Sequence, residues 1–316
     1  MEKPKILISS CMLGNNVRYD GGNKLDAWIT TKMADYFEFV SVCPEVQMGM
    51  SIPREPVNLQ LHKNGDIKMI GGKSKTDYTD SALVTSQDII DQKTSDICGA
   101  ILQKKSPSCG VERVKLFNEK EEELYNMKLT PKNRGIFATM LMSQNPMLPV
   151  IDSGRFFDKN ERENFLRRVM CYHRFSKLDG SVRALQDFHA RYKFLIMEHD
   201  QERMRQLGAI AANSSGDHDH SHLYATYSEL LFSTLSKIPT RKSRTNVFHH
   251  LIGFFKNELA ADEKKVILQM IADYNASILP YLVPLKMLEF LIDKYHHMYL
   301  KNHYFLNQFP KELNEN

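Results

Sequence analysis

The stretch KILISSC, residues 5–11, decides how the first half of this chain folds, because it is a short apolar run that ends in a cysteine. Two further segments have the same arrangement, FEFVSVCPE at 37–45 and GAILQKKSPSCG at 99–110. Short apolar runs bounded by polar turn residues are typical of buried strands. Loops beyond the carboxyl ends of strands in an open α/β sheet converge on one crevice. We therefore expect Cys11, Cys43 and Cys109 to meet at one edge of a sheet.

The number of converging cysteines bears on their chemistry. Three thiolates are an odd number for a disulfide framework but suit an iron-sulfur cluster with one open iron. Cys98 precedes its strand and Cys171 lies in a helical segment, so we assign both to packing. No short C-x-x-C motif is present, and a single cysteine commonly packs as a small hydrophobe. The residues alone therefore leave both a shared metal or cluster site and ordinary core positions open.

Composition places the chain among globular proteins. Its 316 residues are enough for two domains, with 42% hydrophobic and 25% charged residues. No apolar run approaches the roughly 20 residues of a membrane helix, and the N-terminus lacks the pattern of a secretory signal. The five cysteines have no paired spacing, which fits a reducing compartment. We expect a cytoplasmic protein that has no membrane partner, and no protein partner is predicted.

Strand-like and helix-like segments alternate in the first half, which predicts an α/β domain with a mostly parallel sheet over residues 1–152. The predicted strands lie near 4–9, 38–42, 98–103 and 148–151, and the predicted helices near 25–36, 78–95 and 133–143. The Asn-Gly in NLQLHKNGDIKMIGG, residues 58–72, indicates a hairpin. We expect residues 51–72 to form a wall of the cysteine site.

The pattern of the sequence changes after residue 152, where strand signals end and apolar residues begin to recur every three or four positions. An all-α domain over residues 153–316 is predicted. Its helical segments lie near 160–175, 180–206, 222–236, 243–257, 262–277 and 283–301. The histidines of GDHDHSH, residues 216–222, are surrounded by glycine and serine, so a loop is a better interpretation than a metal site.

Basic residues are concentrated in this second half. From Arg155 to Lys193 there are ten Lys or Arg against five acids, within a net charge of +4 for the chain. Such runs can neutralise phosphates, although a solvated helix face explains them equally well. The predicted RNA-binding residues are Arg162, Arg167, Arg168, Arg174, Arg241, Lys242 and Arg244.

Polar residues beside the cysteines are candidates for substrate chemistry. Glu45 follows Cys43 by two residues, where a carboxylate could move protons beside an open coordination position. Ser106 and Ser108 could orient a substrate, or simply cap a serine-proline turn. Further substrate-binding candidates, from the polar loop after Cys11, are Arg18 and Tyr19. Arg18 could bind a phosphate or pair with Asp20, and the GGKSK segment at 71–75 offers a weaker anion site.

Several of these motifs together resemble the thiouracil desulfidase family, across roughly residues 4–150. They are SSCMLG at 9–14, VRYDG at 17–21, CPE at 43–45, GAILQKKSPSCG at 99–110 and GIFA at 135–138. The second half resembles the helical domain often fused to that family. Its motifs are NFLRRVMCYHRF at 164–175, YKFLIMEHD at 192–200, NVFHHLIGFFK at 246–256 and YLVPLKMLEFLIDKY at 281–295. Together they look like the bacterial fusion enzymes that remove sulfur from 4-thiouridine in tRNA.

The resemblance implies roles for the candidate residues. Cys11, Cys43 and Cys109 would hold a 4Fe-4S cluster with one free iron, Glu45 would transfer protons, and Ser106 would position the base. The products would be uridine and sulfide, by a hydrolytic step without net redox change, and oxygen would destroy activity. The helical domain would bind tRNA that contains 4-thiouridine. Two alternatives stay open: a desulfidase of free thiouracil or 4-thiouridine monophosphate, and a non-catalytic, metal-bearing RNA-binding protein.

Overall fold

The computed structural model describes residues 2–124, 133–213 and 219–314. Its contacts divide the chain into two compact units, Met1–His173 with Glu312–Asn316, and Arg174–Lys311. The predicted domain boundary at 152/153 stays a prediction, and the contacts place residues up to His173 with the first unit. Of the loop assigned from sequence at 216–222, His218 lies outside the described residues, whereas His220 and His222 belong to the helix His220–Leu235, which corrects the loop interpretation for those two. No helix of the described chain is long and apolar enough to span a membrane.

The first unit contains two sheets and six helices among its described residues. The strands are β1 (Lys5–Ser9), β2 (Glu38–Val42), β3 (Val57–Leu61), β4 (Ile67–Gly71), β5 (Ile97–Leu102), β6 (Leu116–Asn118) and β7 (Val150–Asp152). The helices are α1 (Ala27–Thr31), α2 (Pro44–Gln47), α3 (Thr79–Lys93), α4 (Ile136–Gln144), α5 (Ser153–Phe156) and α6 (Lys159–Phe175). The last two residues of α6 belong to the second unit.

The main sheet has the strand order β2-β1-β5-β7, and every pairing in it is parallel. Its central strands are almost wholly apolar and buried, as strands of a parallel sheet covered on both faces are. Gly99 of β5 lets helix α6 approach, since a Cβ there would lie 2.7 Å from a methyl of Val169 and 3.2 Å from the ring of Phe165. The predicted α/β class and its mostly parallel sheet are confirmed.

A second sheet, in the order β4-β3-β6, begins with the predicted hairpin. β3 and β4 are antiparallel, and the turn contains Gly65 at φ 91°, a conformation that glycine adopts without steric cost. β6 joins β3 in parallel. The sequence did not predict β6, because a strand of three residues gives no periodic signal.

The second unit is helical. Its helices are α7 (Val182–His199), α8 (Gln201–Ala211), α9 (His220–Leu235), α10 (Arg241–Ile252), α11 (Ala261–Asn275), α12 (Leu282–Lys294) and α13 (Met298–Lys301). The segment predicted as one helix near 180–206 is two, because the Asp200 carboxylate accepts hydrogen bonds from the first amides of α8. Buried side chains at three- and four-residue spacing, among them Phe248 and Leu251 of α10, form the core. The predicted helical class is confirmed.

The loop that carries Cys109 is fixed by the start of α4. The amides of Ile136 and Ala138 donate to the carbonyls of Pro107 and Ser108, at 3.0 and 3.2 Å. A Cβ on Gly135 would lie 2.3 Å from the Ser108 carbonyl oxygen, closer than any real contact. Only glycine therefore lets the two backbones meet there.

Replacing this glycine is expected to destabilise the first unit. In Gly135→Ala the new methyl must displace backbone rather than a flexible side chain, and overpacking of this kind costs about 1–3 kcal/mol. Thermal unfolding followed by circular dichroism should show a lower Tm. Gly253→Ala is the control, because nothing lies within 4 Å of a Cβ at that position. Equal melting temperatures for Gly135→Ala and the unmodified protein would contradict the proposed close approach.

Candidate active site

Three cysteines line one cavity at the carboxyl edge of the main sheet. Cys11 lies in a short 3-10 turn after β1, Cys43 directly follows β2, and Cys109 lies in the loop after β5. The three strands are neighbours, so their ends open on the same crevice. The cavity has a volume of about 390 Å³. The structure therefore brings together the cysteines that the sequence singled out.

The three thiols are held in a poorly solvated environment. Burial and, to a smaller extent, the nearby thiol of Cys43 together raise the pKa of Cys11 to about 11. Burial also raises the pKa of Cys43 and, more strongly, that of Cys109, although a hydrogen bond with the Ser9 hydroxyl opposes the latter shift. The thiols are thus protonated near neutral pH when no metal is bound, and a metal would have to displace their protons.

The donor set has the character of a cluster site. Among the residues that the structure describes, no group of three His, Cys, Asp or Glu is close enough to share a single metal ion. Cluster cysteines bind different iron atoms and need not meet at one point. Three thiols from three strand ends around one cavity suit that mode of binding. The residues that could hold such a group are Cys11, Cys43 and Cys109.

Glu45 lies in the same cavity, in the first turn of α2, with both carboxylate oxygens engaged. The Nε and Nη2 atoms of Arg54 donate to Oε2 at 3.0 and 2.6 Å. The Ser108 hydroxyl donates to Oε1 at 3.0 Å. The side chains of Arg54 and Glu45 are 4% and 13% exposed, so this is a largely buried pair. The carboxylate therefore has one defined orientation.

Sequence reasoning missed Arg54. The available signal was its place in the segment 51–72, which was predicted to form a wall of the site and which does supply Arg54, Pro56 and Val57 to the cavity. Ser9 was also missed, although it bonds to Cys109 and accepts a hydrogen bond from the Gln103 amide at 2.9 Å.

The two serines of the SPSCG loop have different roles in the structure. The Ser106 hydroxyl oxygen accepts hydrogen bonds from the amides of Ser108 and Cys109, at 3.2 and 3.1 Å, so it caps the turn. Ser106 also lines the cavity. Ser108 is buried and bonds to Glu45. Ser106 therefore caps the turn and also lies at the site.

Arg18 and Tyr19 lie at the cavity as well. The guanidinium of Arg18 pairs with Asp20, with Nε 3.4 Å from Oδ1, which is the local pairing that the sequence left open. Tyr19 is partly exposed, and its carbonyl accepts a hydrogen bond from the Arg54 amide at 2.9 Å. The loop after β1 is thereby tied to the segment that carries Arg54.

The predicted anion site at 71–75 already contains a carboxylate of the chain. The amides of Lys73 and Ser74 donate to Oε2 of Glu55 at 2.7 and 2.8 Å, and the Ser74 hydroxyl bonds to Oε1. Hydrogen bonds from Ser74 and Lys73 lower the pKa of Glu55 to about 2. These amides are therefore not available to a bound phosphate.

Two separate stretches of the chain match two different protein-family models. Residues 6–153 match the family model described as 2-thiouracil desulfurase. The chain belongs to the 2-thiouracil desulfurase family. Residues 193–310 match a second model, described as a protein of unknown function, DUF1722. The resemblance of the first half to the thiouracil desulfidase family is confirmed.

Two relatives and one solved structure are similar to this family member. Uncharacterized protein YbgA of Escherichia coli K12 is 26% identical over 155 residues, which are 48% of this chain and 92% of that protein. Uncharacterized protein YbbK of Bacillus subtilis 168 is 34% identical over 113 residues, which are 33% of this chain and 72% of that protein. The solved structure of TudS, described as a [4Fe-4S]-dependent thiouracil desulfidase, is 25% identical and has a TM-score of 0.36. The match covers 48% of this chain and 93% of the TudS chain.

Two arginines predicted to bind RNA, Arg162 and Arg167, are buried in the first unit of the chain. Arg162 lies 4.8 Å from the ring of Trp28 and donates to the Phe156 carbonyl at 3.1 Å. Arg167 is 3% exposed and pairs with Glu163. Because neither guanidinium reaches the surface, neither is accessible to a phosphate in this structure. This corrects the sequence interpretation, which could not distinguish a buried arginine from a solvated one.

The other predicted RNA-binding residues differ in exposure. Arg168 is half-buried, and burial lowers its pKa to about 10. Arg174 lies 3.9 Å from the ring of Tyr304 and donates to the carbonyls of Asn307 and Gln308. These contacts give Arg174 a structural role in the helical unit.

The three basic residues at the start of α10 also differ in exposure. Arg244 pairs with the fully buried Glu198, with Nε 2.8 Å from Oε1. Arg241 is exposed, although its Nη1 donates to the Tyr274 carbonyl at 2.6 Å, and Lys242 is exposed. Of these three cations, Arg244 is therefore the one least able to meet RNA.

Removing Arg244 is expected to reduce stability. In Arg244→Ala the buried Glu198 loses its guanidinium partner, and breaking a buried pair in this way costs about 3–5 kcal/mol. Urea unfolding followed by far-ultraviolet circular dichroism should show a lower midpoint. Lys242→Ala serves as the matched control, because that side chain is exposed and should leave the midpoint unchanged. If both variants unfold at the same urea concentration, Arg244 is not a stabilising residue.

Proposed function

We propose that this desulfurase removes sulfur from 4-thiouridine in tRNA, and that the reaction is hydrolytic and depends on a 4Fe-4S cluster. The observation that carries the proposal is the shared cavity, where three cysteines lie beside an anchored carboxylate. Membership of the 2-thiouracil desulfurase family supports a thiolated pyrimidine as the substrate class. A thiocarbonyl and water would give a carbonyl and hydrogen sulfide, without net redox change.

Cys11, Cys43 and Cys109 would hold the cluster. When bound, the cluster would supply an open iron, which has an affinity for soft sulfur and would polarise the carbon-sulfur bond. The three thiols fit this group, because they line one cavity from three neighbouring strand ends, and bound iron would stabilise them as thiolates. Ser9, hydrogen-bonded to Cys109, would orient that ligand.

Glu45 would move the protons of the reaction. Its carboxylate would take a proton from the water that attacks C4 and return one to the sulfur that leaves. Arg54 and Ser108 would hold the carboxylate in one orientation, so that it need not reorganise during the reaction. They are positioning residues in this scheme.

Ser106 would position the base. Its oxygen accepts hydrogen bonds from two backbone amides, so its own hydroxyl proton remains to be donated. A pyrimidine carbonyl in the cavity is a suitable acceptor. Because both amides belong to the loop of Cys109, the base and the metal ligand would be placed by the same turn.

The size of the cavity limits the substrate. A volume of about 390 Å³ is at the small end for ligand sites, so one nucleobase with its sugar is the largest group expected to fit. A base in folded tRNA would have to unstack before it entered. The same observation favours the second candidate substrate, free 4-thiouridine monophosphate or thiouracil. Exposed Arg241 and Lys242 support tRNA, since such residues position nucleic acid through its phosphates.

The ligand and proton-transfer roles can be separated by two substitutions. Cys43→Ala should lose iron and the visible absorption of the cluster. Glu45→Gln should retain both while sulfide release falls by about 100-fold or more, since the general acid-base step is lost. Iron content, the spectrum of anaerobically purified protein and sulfide release are measured together. Full turnover by Glu45→Gln would contradict its role in proton transfer.

Two control variants match these substitutions. Cys98→Ala removes a buried cysteine outside the cavity, and Glu38→Gln removes an exposed carboxylate at the opposite end of β2. Both should retain iron and activity. Normal iron content in Cys43→Ala would contradict its role as a ligand. Zinc in place of iron in the unmodified protein would support the non-catalytic alternative.

The substrate is tested by comparing sulfide release from thiolated tRNA, 4-thiouridine monophosphate and thiouracil. We expect the highest kcat/KM with tRNA, and we expect this value to fall steeply with added salt because phosphate contacts release counterions. Lys242→Glu should lower kcat/KM with tRNA and leave the two small substrates unchanged. A higher kcat/KM for the free nucleotide than for tRNA would establish the alternative substrate.

A further inference from the structure

Two exposed aromatic rings lie side by side on the helical unit, and neither lines the cysteine cavity. Phe254 is in the 3-10 turn Gly253–Phe255 after α10, and Tyr299 is in α13. They are 36% and 45% exposed, and their ring centroids are 5.7 Å apart with 32° between the planes. Single exposed apolar residues are common on protein surfaces, whereas contiguous ones mark interaction sites more often. We call this pair of rings the aromatic platform.

The platform rests on buried rings of the same unit. Phe194 of α7 lies edge-on to Phe254, with ring centroids 5.9 Å apart, and His303 lies edge-on to Tyr299 at 4.8 Å. Phe194 and His303 are 4% and 3% exposed. Nδ1 of His303 donates to the Arg191 carbonyl at 3.2 Å, which fixes the imidazole. Rings supported in this way are held in place before a ligand binds, so little conformational entropy is lost on binding.

A lysine places positive charge beside the platform. The ammonium of Lys193, in α7, is 5.2 Å from the ring centroid of Tyr299 and 4.9 Å from that of Phe194. Within the part of the chain that the structure describes, this ammonium has no acidic partner. Burial and the charge of Lys193 lower the pKa of His303 to about 4, so the imidazole beneath the platform is neutral at neutral pH. The rings therefore have an uncompensated positive charge next to them.

The helical unit also carries the net positive charge of the whole chain. Residues 174–311 contain 18 Lys or Arg and 14 Asp or Glu, a net charge of +4 that equals that of the full sequence. The first unit is therefore neutral overall. A polyanion would be attracted to the helical unit, and affinity of that origin decreases with added salt. This charge complementarity favours a nucleic acid over a protein segment as the ligand of the platform.

We propose that Phe254 and Tyr299 bind an unpaired nucleobase of RNA by stacking, and that Lys193 contacts a phosphate beside that base. Exposed aromatic rings with a basic side chain next to them are the combination that binds single strands with little sequence preference. Folded RNA presents unpaired bases in its loops and ends, whereas bases in a duplex already stack on one another. The site goes beyond the proposed function, because it requires neither sulfur in the RNA nor a cluster in the protein.

A structural role for the two rings must be separated from a binding role. Phe254 and Tyr299 could serve only to cover Phe194 and His303 from water. That role predicts that leucine, which is apolar but cannot stack, lowers the Tm and has no selective effect on RNA. Stacking predicts a loss of affinity that is confined to unpaired RNA and is avoided when the ring is kept.

The test measures binding of labelled oligocytidine to the full chain by fluorescence anisotropy, with a duplex RNA of the same length for comparison. Oligocytidine is chosen because it is not the uridine product of the proposed reaction. Tyr299→Leu and Phe254→Leu should each weaken its binding about 10-fold, as expected for loss of a base-aromatic stack, and leave duplex binding unchanged. Tyr299→Phe keeps the ring and should bind as the unmodified protein does. Phe290→Leu is the matched control, because Phe290 is 58% exposed and lies outside the platform.

The role of Lys193 is tested by salt dependence. Lys193→Gln keeps much of the aliphatic stem and removes the charge, so the slope of log affinity against log salt should become shallower by about 0.7. The leucine variants should keep the slope of the unmodified protein, since they remove no charge. Lys265→Gln, at an exposed lysine of α11, is the control and should leave the slope unchanged. Equal slopes for Lys193→Gln and the unmodified protein would contradict the phosphate contact.

Three results would overturn stacking on the platform: full oligocytidine affinity in Tyr299→Leu, an equal loss in Tyr299→Phe, or an equal loss of duplex binding. The first of these would leave a protein partner as the explanation of the exposed rings. Tighter binding of oligodeoxycytidine than of oligocytidine would overturn RNA as the ligand. A protein that binds oligocytidine through the platform yet releases no sulfide from any thiolated substrate would contradict the proposed reaction and leave the platform in place.

Discussion

The parallel pairing of β1 with β2 on one side and with β5 on the other is the constraint on which the site depends. Strands in this arrangement all end at the same edge, so residues far apart in sequence meet there. Each of the three cysteines follows one of these strands. A shift in any of these pairings would move one thiol out of the cavity while leaving the others in place. The chemistry therefore depends on sheet register more than on any local motif.

Stability alone does not explain why the ion pair of Arg54 and Glu45 is buried. Removing two charges from water is expensive, and a hydrophobic pair of similar volume is often at least as stable. Here the carboxylate faces a cavity, and its second oxygen is held by Ser108 from the loop of a cysteine. The three side chains come from α2, the segment before β3 and the loop after β5. The pair thus fixes the mutual position of three walls of the site.

Sequence patterns predicted the parts of the molecule that carry a clear composition or spacing signal. The strands of the main sheet are short apolar runs, the hairpin contains an Asn-Gly turn, and most helices have apolar residues at three- or four-residue spacing. β6 and α5 were not predicted because neither LFN nor SGRF forms an apolar run or a helical period. Arg54 was missed for a different reason, since its partner depends on how the 51–72 segment returns to the sheet. The break at Asp200 was also hidden, because the apolar spacing continues across it and only the cap reveals the new helix.

The basic residues show why charge counted along a sequence is a weak guide to an RNA surface. Arginine combines a planar, weakly hydrated cation with five donors, so it can be buried against aromatic rings and carbonyls. Arg162 and Arg174 are used in this way. Lysine has a compact, strongly hydrated charge and stays at the surface unless it is paired. In this chain Arg162, Arg167 and Arg174 of the basic run are engaged within the structure, whereas lysines such as Lys104 and Lys242 remain in solvent.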